Sequence, residues 1–296
     1  MVDNDVQLSL NGIGKQFRRQ TNGRRRGRAA ESASSVDGPP VPVLVDVTFD
    51  VHGQEFVAVI GPSGCGKTTL IKIIHGLLPA EHGVVELNGE PVTKPSFACG
   101  LVFQHAGLLP WRTAQRNVEF GLETKGVGRA ERTRVAAEHL DLVGLAGFEH
   151  YYPHQLSGGM QQRVGLARAL ARGPDVLLMD EPFGALDAQT RERMQEELLK
   201  INESTRKTVL FVTHDLDEAV YLADRVVVLA ARPGRVREIV DIDLPRPRPP
   251  AADTKSMAEF VEKRRLIWTL INSSEEPVGT AGSVGSAGSV GSEASA

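Results

Sequence analysis

The chain has 296 residues, of which 41% are hydrophobic and 24% charged, and its formal net charge is −3 at pH 7. The length allows one large core or two modest ones, and the slightly acidic balance gives no global reason to expect nucleic-acid binding. No apolar run approaches the roughly 18–20 residues that a membrane-spanning helix needs, and the two cysteines make neither a disulfide framework nor a metal cluster. We therefore expect a cytosolic protein without disulfides.

Two strands are predicted near the N-terminus, over residues 6–10 and 43–51, the second with apolar residues at every other position. Residues 18–42 between them are rich in Gly, Ser, Pro and Arg, so they predict a long, flexible, basic loop insertion. Its Arg24–Arg28 cluster suits lipid headgroups or nucleic acid, but a solvated loop is the interpretation that we favour.

A continuous apolar strand, Phe56–Ile60, runs into a glycine-rich loop and then a helix predicted to end near Leu78. The loop matches G-x-x-x-x-G-K-[ST], in which backbone N–H groups wrap phosphates, the lysine reaches the β- and γ-phosphates and the hydroxyl binds Mg²⁺. The sequence therefore predicts a nucleoside triphosphate site. Its candidate residues are Gly61, Pro62, Ser63, Gly64, Cys65, Gly66, Lys67, Thr68 and Thr69. Cys65 is either redox-sensitive or simply a small residue that fits.

Later strands are expected without strict alternation and with helices between several of them, which indicates a parallel sheet covered on both faces. They lie near Val84–Leu87, Leu101–Phe103, Val176–Met179, Thr208–Val212 and Arg225–Leu229. Residues 114–145 have a helical pattern and no strand candidate, so they predict an inserted helical subdomain.

Two acidic residues, Asp180 and Glu181, follow the buried run Val176–Met179, at the end of a strand where open α/β sheets place their ligands. Asp180 is suited to hold Mg²⁺ through water, and Glu181 to polarise an attacking water. A strand end with two solvated acids is the alternative.

A second anion site is predicted where Leu156–Arg163 opens a helix, because unpaired N–H groups and the helix dipole converge there. Two such sites in one domain serve either two ligands or one ligand approached from opposite sides.

The amino-acid composition of the chain changes after Asp243. Residues 244–250 are a proline-rich spacer, and Met257–Ile271 is predicted to be an amphipathic helix. Residues 273–296, with a six-residue segment repeated once, predict a disordered low-complexity tail.

The series of motifs resembles the ATP-binding subunit of ABC transporters over residues 6–243, with a helical signature subdomain at about residues 114–172. The matching positions are Gly61–Thr68, Gln104, Leu156–Gln162, Asp180–Pro182, Ala185–Asp187 and His214. The resemblance implies an α/β fold with a RecA-like P-loop NTPase core, a small antiparallel β-subdomain from residues 6–10 and 43–51, and the inserted helical subdomain.

In that family two subunits stack head to tail, and each ATP lies between one P-loop and the signature helix of the other subunit. The resemblance therefore implies that Ser157, Gly158 and Gly159 bind the nucleotide held by a second copy, and that Asp187 links the two sites.

Four further roles follow from the resemblance. Gln104 would sense Mg²⁺ and the attacking water, Glu181 would be the catalytic base, and His214 would contact the γ-phosphate. A histidine after a strand would otherwise be a cap for the next helix. Phe17 resembles the aromatic residue on which adenine stacks, whereas a buried or loop-anchoring phenylalanine is the alternative.

Residues 103–113, with Leu109, Pro110 and Trp111, resemble importers of nitrate, sulfonates and taurine, as do Ala231–Arg235 and Asp243–Pro247. Either the first segment anchors a permease helix, or it is an internal turn packed on the helical subdomain.

The expected protein is an ATPase on the cytoplasmic face of the membrane, with Mg²⁺, separate permease subunits and, indirectly, a solute-binding protein as partners. A soluble ABC ATPase acting on nucleic acid or ribosomes and an exporter subunit are the alternatives. No nucleic-acid partner is expected, and the transported solute is not determined.

Overall fold

The computed structural model describes residues 6–18 and 39–273. The first half of these contains β1 (Val6–Arg18), β2 (Pro40–His52), β3 (Phe56–Ile60), α1 (Lys67–Ile74), β4 (His82–Leu87), β5 (Glu90–Pro91), β6 (Cys99–Val102), α2 (Ala114–Thr124) and α3 (Arg129–Leu142). The second half contains a 3₁₀ turn (Pro153–Gln155), α4 (Gly158–Ala171), β7 (Val176–Asp180), α5 (Ala188–Thr205), β8 (Thr208–Thr213), α6 (Leu216–Leu222), β9 (Arg225–Leu229), β10 (Val236–Asp241), α7 (Ala251–Lys255) and α8 (Ala258–Asn272).

A six-stranded sheet in the order β10-β9-β3-β8-β7-β6 forms the centre. Its pairs are parallel apart from β9–β10, and successive residues of each strand face opposite layers. Phe56 and Ala58 pack with the helical layer, whereas Val57 and Val59 pack with α1 and the second sheet. Both faces are covered, which explains the uninterrupted apolar runs. The α/β fold with a P-loop core is confirmed.

The register brings the chemistry-bearing loops to one edge of this sheet. Ile60 pairs with Thr213, and Asp180 pairs with Val212, so the loops after β3, β7 and β8 begin side by side. This edge is the carboxyl end of the parallel strands, where ligands bind in open α/β sheets.

The second sheet is antiparallel, in the order β2-β1-β4-β5. The prediction that residues 84–87 belong to the parallel sheet is wrong, because Leu87 pairs with Leu8 and Val85 with Leu10 of β1. Val84 is exposed while Val85 and Leu87 are buried, so β4 does alternate. A four-residue apolar window is too short to reveal this.

Strands β1 and β2 are longer than residues 6–10 and 43–51, because register shifts and the left-handed Gly12 (φ 63) interrupt their alternation without ending the pairing. Arg18 and residues 40–42 therefore belong to strands rather than to a loop. The rest of the predicted insertion, with Arg24–Arg28, lies outside the described residues.

Helices α2, α3 and α4 form a layer on one face of the central sheet. Thr113 caps α2 by accepting a hydrogen bond from the Arg116 N–H. The layer shares a core in which Val118, Leu140 and Val164 are fully buried.

The proline-rich segment is tied to the body of the protein and is not a free spacer. Arg246 Nε donates to Asp224 Oδ1 (2.9 Å), and Arg248 Nη2 donates to the Ala223 carbonyl (2.6 Å). Burial lowers the pKa of Arg248 to about 10. The short helix α7 after it was not predicted.

Helix α8 begins and ends within one residue of the predicted Met257–Ile271 helix. It packs on its own chain through the buried Phe260 and Ile267, and Arg264 Nε pairs with Asp217 Oδ1 of α6 at 2.7 Å. Residues 274–296 of the predicted tail lie outside the described residues. None of the helices over residues 6–18 and 39–273 has the length and apolar character to cross a bilayer.

Candidate active site

The glycine-rich loop Gly61–Gly66 joins the buried strand β3 to α1, as predicted. Gly64 (φ 81) and Gly66 (φ 95) are left-handed, and a Cβ on Gly66 would lie 2.7 Å from Leu44 Cδ2. No side chain caps α1, so its first N–H groups are open to an anion. The helix ends at Ile74 rather than near Leu78, where the left-handed Gly76 (φ 77) follows.

The Lys67 ammonium lies across this loop. Its Nζ donates to the Gly61 carbonyl (2.7 Å) and the Pro62 carbonyl (3.3 Å), and the residue is 7% exposed. The Cys65 thiol is fully buried, and burial raises its pKa. A buried thiol with a raised pKa reacts poorly, which favours the small fitting residue over the redox-sensitive one.

Asp180 and Thr68 meet at the open end of the loop. Thr68 Oγ1 donates to Asp180 Oδ1 at 3.4 Å. Burial raises the Asp180 pKa, and the nearby Glu181 charge adds to this rise against the Thr68 hydrogen bond. Two hard oxygen donors beside a phosphate loop fit Mg²⁺, which takes few protein ligands together with substrate phosphates. Residues 6–18 and 39–273 contain no group of three or more His, Cys, Asp or Glu arranged to hold a metal.

Glu181 and His214 contact each other across the ends of two neighbouring strands. His214 Nδ1 lies 3.0 Å from Glu181 Oε2. Glu181 has a left-handed backbone (φ 47), an unfavourable conformation for a non-glycine residue that often marks functional sites. The cap of α6 is Asp215, which accepts from Asp217 N at 2.8 Å. The alternative of His214 as a helix cap is therefore wrong.

Gln104 also reaches this edge. Its Nε2 lies 3.1 Å from where a Cβ on Gly184 would be, and the Gly184 N–H donates to the Glu181 carbonyl (3.1 Å). Two α4 side chains hold the Gln104 loop: Gln162 donates to the Phe103 carbonyl (3.0 Å) and Arg168 to the Gly107 carbonyl (2.9 Å). Arg168 lies outside the motifs, and the motif that contains Gln162 does not indicate this contact, so only the fold reveals the two hydrogen bonds.

A second missed group lies behind His214. Glu218 of α6 is buried, and it accepts from Thr213 Oγ1 (2.5 Å) and Gln195 Nε2 (3.2 Å). Burial raises its pKa. This network connects β8 and α6 to α5. A glutamate on the helix expected after His214 gives no local sign of such burial.

The Leu156–Arg163 segment contains the start of α4. Ser157 caps the helix by accepting from the Met160 N–H (3.3 Å), and both Ser157 and Gly158 are exposed. A Cβ on Gly159 would lie 2.8 Å from Thr190 Cγ2. In the described part of the chain, no hydrogen bond joins these residues to the loop.

Asp187 caps the next helix, α5. It accepts from the Thr190 N–H at 3.0 Å, and the Thr190 hydrogen bonds hold the Asp187 pKa below its usual value. A Cβ on Gly158 would lie 3.8 Å from Leu186 Cδ2, so Asp187 belongs to the same exposed surface as the start of α4.

Phe17 lies near the end of β1 and pairs with Val41. Its side chain is 44% exposed, with Lys15 Nζ 5.6 Å from the ring centroid. The buried alternative is wrong. Adenine stacking and loop anchoring both stay as predictions.

Trp111, in the Leu109–Trp111 segment, is 72% exposed. The buried Asn117 of α2 supports the segment from below: its Oδ1 accepts from the Leu109 N–H (2.7 Å) and its Nδ2 donates to the Arg112 carbonyl (3.0 Å). The backbone is thus fixed on the helical subdomain, as the internal-turn alternative expects, while the indole faces outward.

The sequence of residues 44–184 matches the ABC transporter family. The ABC transporter ATP-binding protein MJ0412 of Methanocaldococcus jannaschii is 54% identical over 235 residues, which is 79% of this chain and 86% of the relative. The taurine import ATP-binding protein TauB of Yersinia pseudotuberculosis is 48% identical, over 76% of this chain and 90% of the relative. The aliphatic sulfonates import ATP-binding protein SsuB of Bacillus cereus is 42% identical, over 88% and 94%.

Solved structures of the ABC cassette MJ0796 have the same fold. One is described as a dimeric bacterial ABC transporter cassette, and the other as a dimeric post-hydrolysis state bound to ADP and Pi. They give TM-scores of 0.65 and 0.64 at 32% identity, and the alignment covers 79% of this chain and 98% of each cassette.

Proposed function

Because the chain belongs to the ABC transporter ATP-binding family and is an ATPase of that type, we propose that it is the ATP-hydrolysing subunit of an importer for a small solute such as taurine, a sulfonate or nitrate. The observation that carries this proposal is the similarity to TauB and SsuB over about nine-tenths of their lengths. The solutes named for these relatives indicate the class of solute but do not identify which member of the class is transported here.

The chemistry is assigned to the edge where β3, β7 and β8 end. Lys67 and the loop N–H groups bind the β- and γ-phosphates, and Glu181 polarises the attacking water. The 3.0 Å contact between His214 Nδ1 and Glu181 Oε2 supports this, because it orients the Glu181 carboxylate and brings the two proposed catalytic groups together. Catalysis of phosphoryl transfer rests mainly on positioning and charge stabilisation.

Mg²⁺ would be held by the Thr68 hydroxyl and by Asp180, with Gln104 completing its environment. When bound, the ion neutralises charge on the β- and γ-phosphates. The Asp180 carboxylate must be ionised for this role, and its raised pKa means that protons compete more strongly with the metal than at an exposed aspartate.

A second copy of the chain would complete each site. Ser157 and Gly158 are exposed at a helix start, and together with Gly159 they supply N–H donors and a hydroxyl, so they suit a γ-phosphate presented by another subunit. Asp187 would link the two nucleotides. The dimeric MJ0796 cassettes support this arrangement.

The permease would dock beside Trp111. The exposed Trp111 indole belongs to the segment that follows Gln104 along the chain. A permease helix that displaced this segment would move Gln104 relative to Glu181. In this proposal the protein works on the cytoplasmic face of the membrane, and a solute-binding protein is an indirect partner.

The test is an ATPase assay on the chain reconstituted with its permease in proteoliposomes. Taurine or an alkanesulfonate with its binding protein should stimulate hydrolysis, whereas export of a solute from the vesicles or stimulation by RNA would reject the importer. Trp111→Ala should uncouple stimulation while leaving basal hydrolysis near wild type. Trp268→Ala, which removes an exposed tryptophan from α8, is the matched control.

A further inference from the structure

The turn that follows strand β9 lies beside the phosphate loop. β9 lies beside β3 in parallel register, with Val57 opposite Arg225 and Ile60 opposite Val228. Parallel neighbours end at the same edge of a sheet, so the turn Ala230–Arg235 emerges next to Gly61–Gly66. This turn carries the Ala-Arg-Pro-Gly-Arg sequence, which the family motifs of the nucleotide site do not include.

The turn is packed tightly against the loop. A Cβ on Gly234 would lie 2.0 Å from the Cys65 carbonyl oxygen, and one on Gly61 would lie 2.8 Å from the Leu229 carbonyl oxygen. The turn is also tied to β2, because the Gly234 N–H donates to the Val43 carbonyl (2.8 Å) and the Val45 N–H to the Gly234 carbonyl (2.9 Å). Its position relative to the loop is therefore fixed from both sides.

Arg232 projects from this fixed turn toward the loop. Its Nη2 and Nε lie 3.9 and 4.0 Å from where a Cβ on Gly64 would be, and the residue is exposed. Its backbone is left-handed (φ 27), which is costly for a non-glycine residue. The other cation of the loop, Lys67, is buried and bonded to the Gly61 carbonyl, on the inner side.

We propose that Arg232 binds the polyphosphate chain of the nucleotide held by its own loop, as a second cation beside Lys67. The inference rests on the proposed nucleotide site and adds a residue to it. A guanidinium carries several N–H donors and is always charged, so it pairs well with phosphate oxygens. The exposed position keeps water nearby, which limits the strength of the contact.

The experiment measures the affinity for a fluorescent ATP analogue and for ATP in steady-state hydrolysis. Arg232→Ala should weaken binding about tenfold, the lower range for a hydrogen bond to a charged group, with KM raised and kcat within about twofold because ground and transition states lose the contact equally. Arg232→Lys should recover part of the affinity. Arg237→Ala, whose guanidinium donates to the Ser273 carbonyl (2.7 Å), removes the same charge elsewhere and should match wild type.

Competition separates the phosphate from the rest of the nucleotide. Arg232→Ala should weaken the binding of inorganic tripolyphosphate, relative to wild type, by the same factor as the binding of ATP. The binding of adenosine should not change. Unchanged ATP binding by Arg232→Ala overturns the proposal, and so does a loss for ATP without a loss for tripolyphosphate. A loss accompanied by a lower melting temperature and not relieved by Arg232→Lys would mean a structural role and would also overturn it. If the wild-type chain bound no ATP, the proposed function itself would fail.

Discussion

The phosphate loop and the start of α4 both present the N-terminus of a helix, yet the chain surrounds them very differently. The loop is enclosed by the turn after β9, by Lys67 and by the ends of β7 and β8. Ser157 and Gly158 are exposed, and the Ser157 hydroxyl accepts a hydrogen bond from Met160 at the start of the same helix. The loop is therefore surrounded by parts of its own chain, whereas the start of α4 is open to solvent. In the proposed dimer, the start of α4 would cover the nucleotide held by the other copy.

The largest effect is expected from a substitution that stops hydrolysis at the phosphate loop but leaves nucleotide binding intact. Glu181→Gln should lower steady-state ATP hydrolysis by about 10²–10⁴-fold, the range for loss of a general base, while binding of ATP to the loop is retained. Hydrolysis assays and fluorescent nucleotide titration measure the two quantities. Glu203→Gln, at an exposed position of α5, is the control. Retained turnover would remove Glu181 from its role.

The exposed surface is tested by Ser157→Arg. In a Glu181→Gln background, ATP should drive dimer formation, and the added arginine should abolish it because it occupies the place of the partner's phosphate; light scattering after gel filtration measures this. ATP binding to the loop should persist.

Two variants control the Ser157 experiment. Ser157→Ala loses the same cap, at a cost of about 1 kcal/mol, and Ser256→Arg adds the same charge at another exposed position. If Ser256→Arg blocked dimers equally, or if Ser157→Arg still formed them, the start of α4 would not face a partner.

Gly234→Ala tests the close packing of the turn after β9 against the phosphate loop. The new Cβ would meet the Cys65 carbonyl at 2.0 Å, so the turn or the loop must move. We expect a loss of about 1–3 kcal/mol in the free energy of unfolding, measured by urea denaturation, together with weaker nucleotide binding. Gly128→Ala adds the same methyl group where nothing lies within 4 Å and should change little. Equal stability of the two variants would contradict the close packing.

The smallest effect concerns the buried carboxylate behind His214. Burial raises the Glu218 pKa, so the folded state holds a proton that the unfolded state has released between the unfolded pKa of about 4.3 and the raised folded value. Its contribution to stability therefore falls as pH rises through this window. Glu218→Gln should make the free energy of unfolding less dependent on pH there. A slope unchanged from wild type would place the proton elsewhere, and Glu262→Gln on α8 is the exposed control.

The strands of the central sheet could be predicted because their signal is local: Phe56–Ile60 and Val176–Met179 are apolar at every position. The pairing of β4 could not, because the same four residues suit either sheet until β1 lies beside them. The phosphate loop and Asp180–Glu181 could also be predicted, since their spacing and flanking strands are contained in short segments.

The sequence by itself determined where the glycine-rich loop lies and which carboxylates follow a buried strand, because turn geometry and strand burial act over a few residues. Only the tertiary structure decided that His214 meets Glu181 rather than capping α6, that α8 packs on its own chain, and that Arg232 lies against Gly64. Those contacts join residues more than 30 positions apart. The order of the strands in the sheet and the packing of the helices decide which residues meet, and a local sequence pattern contains no information about either.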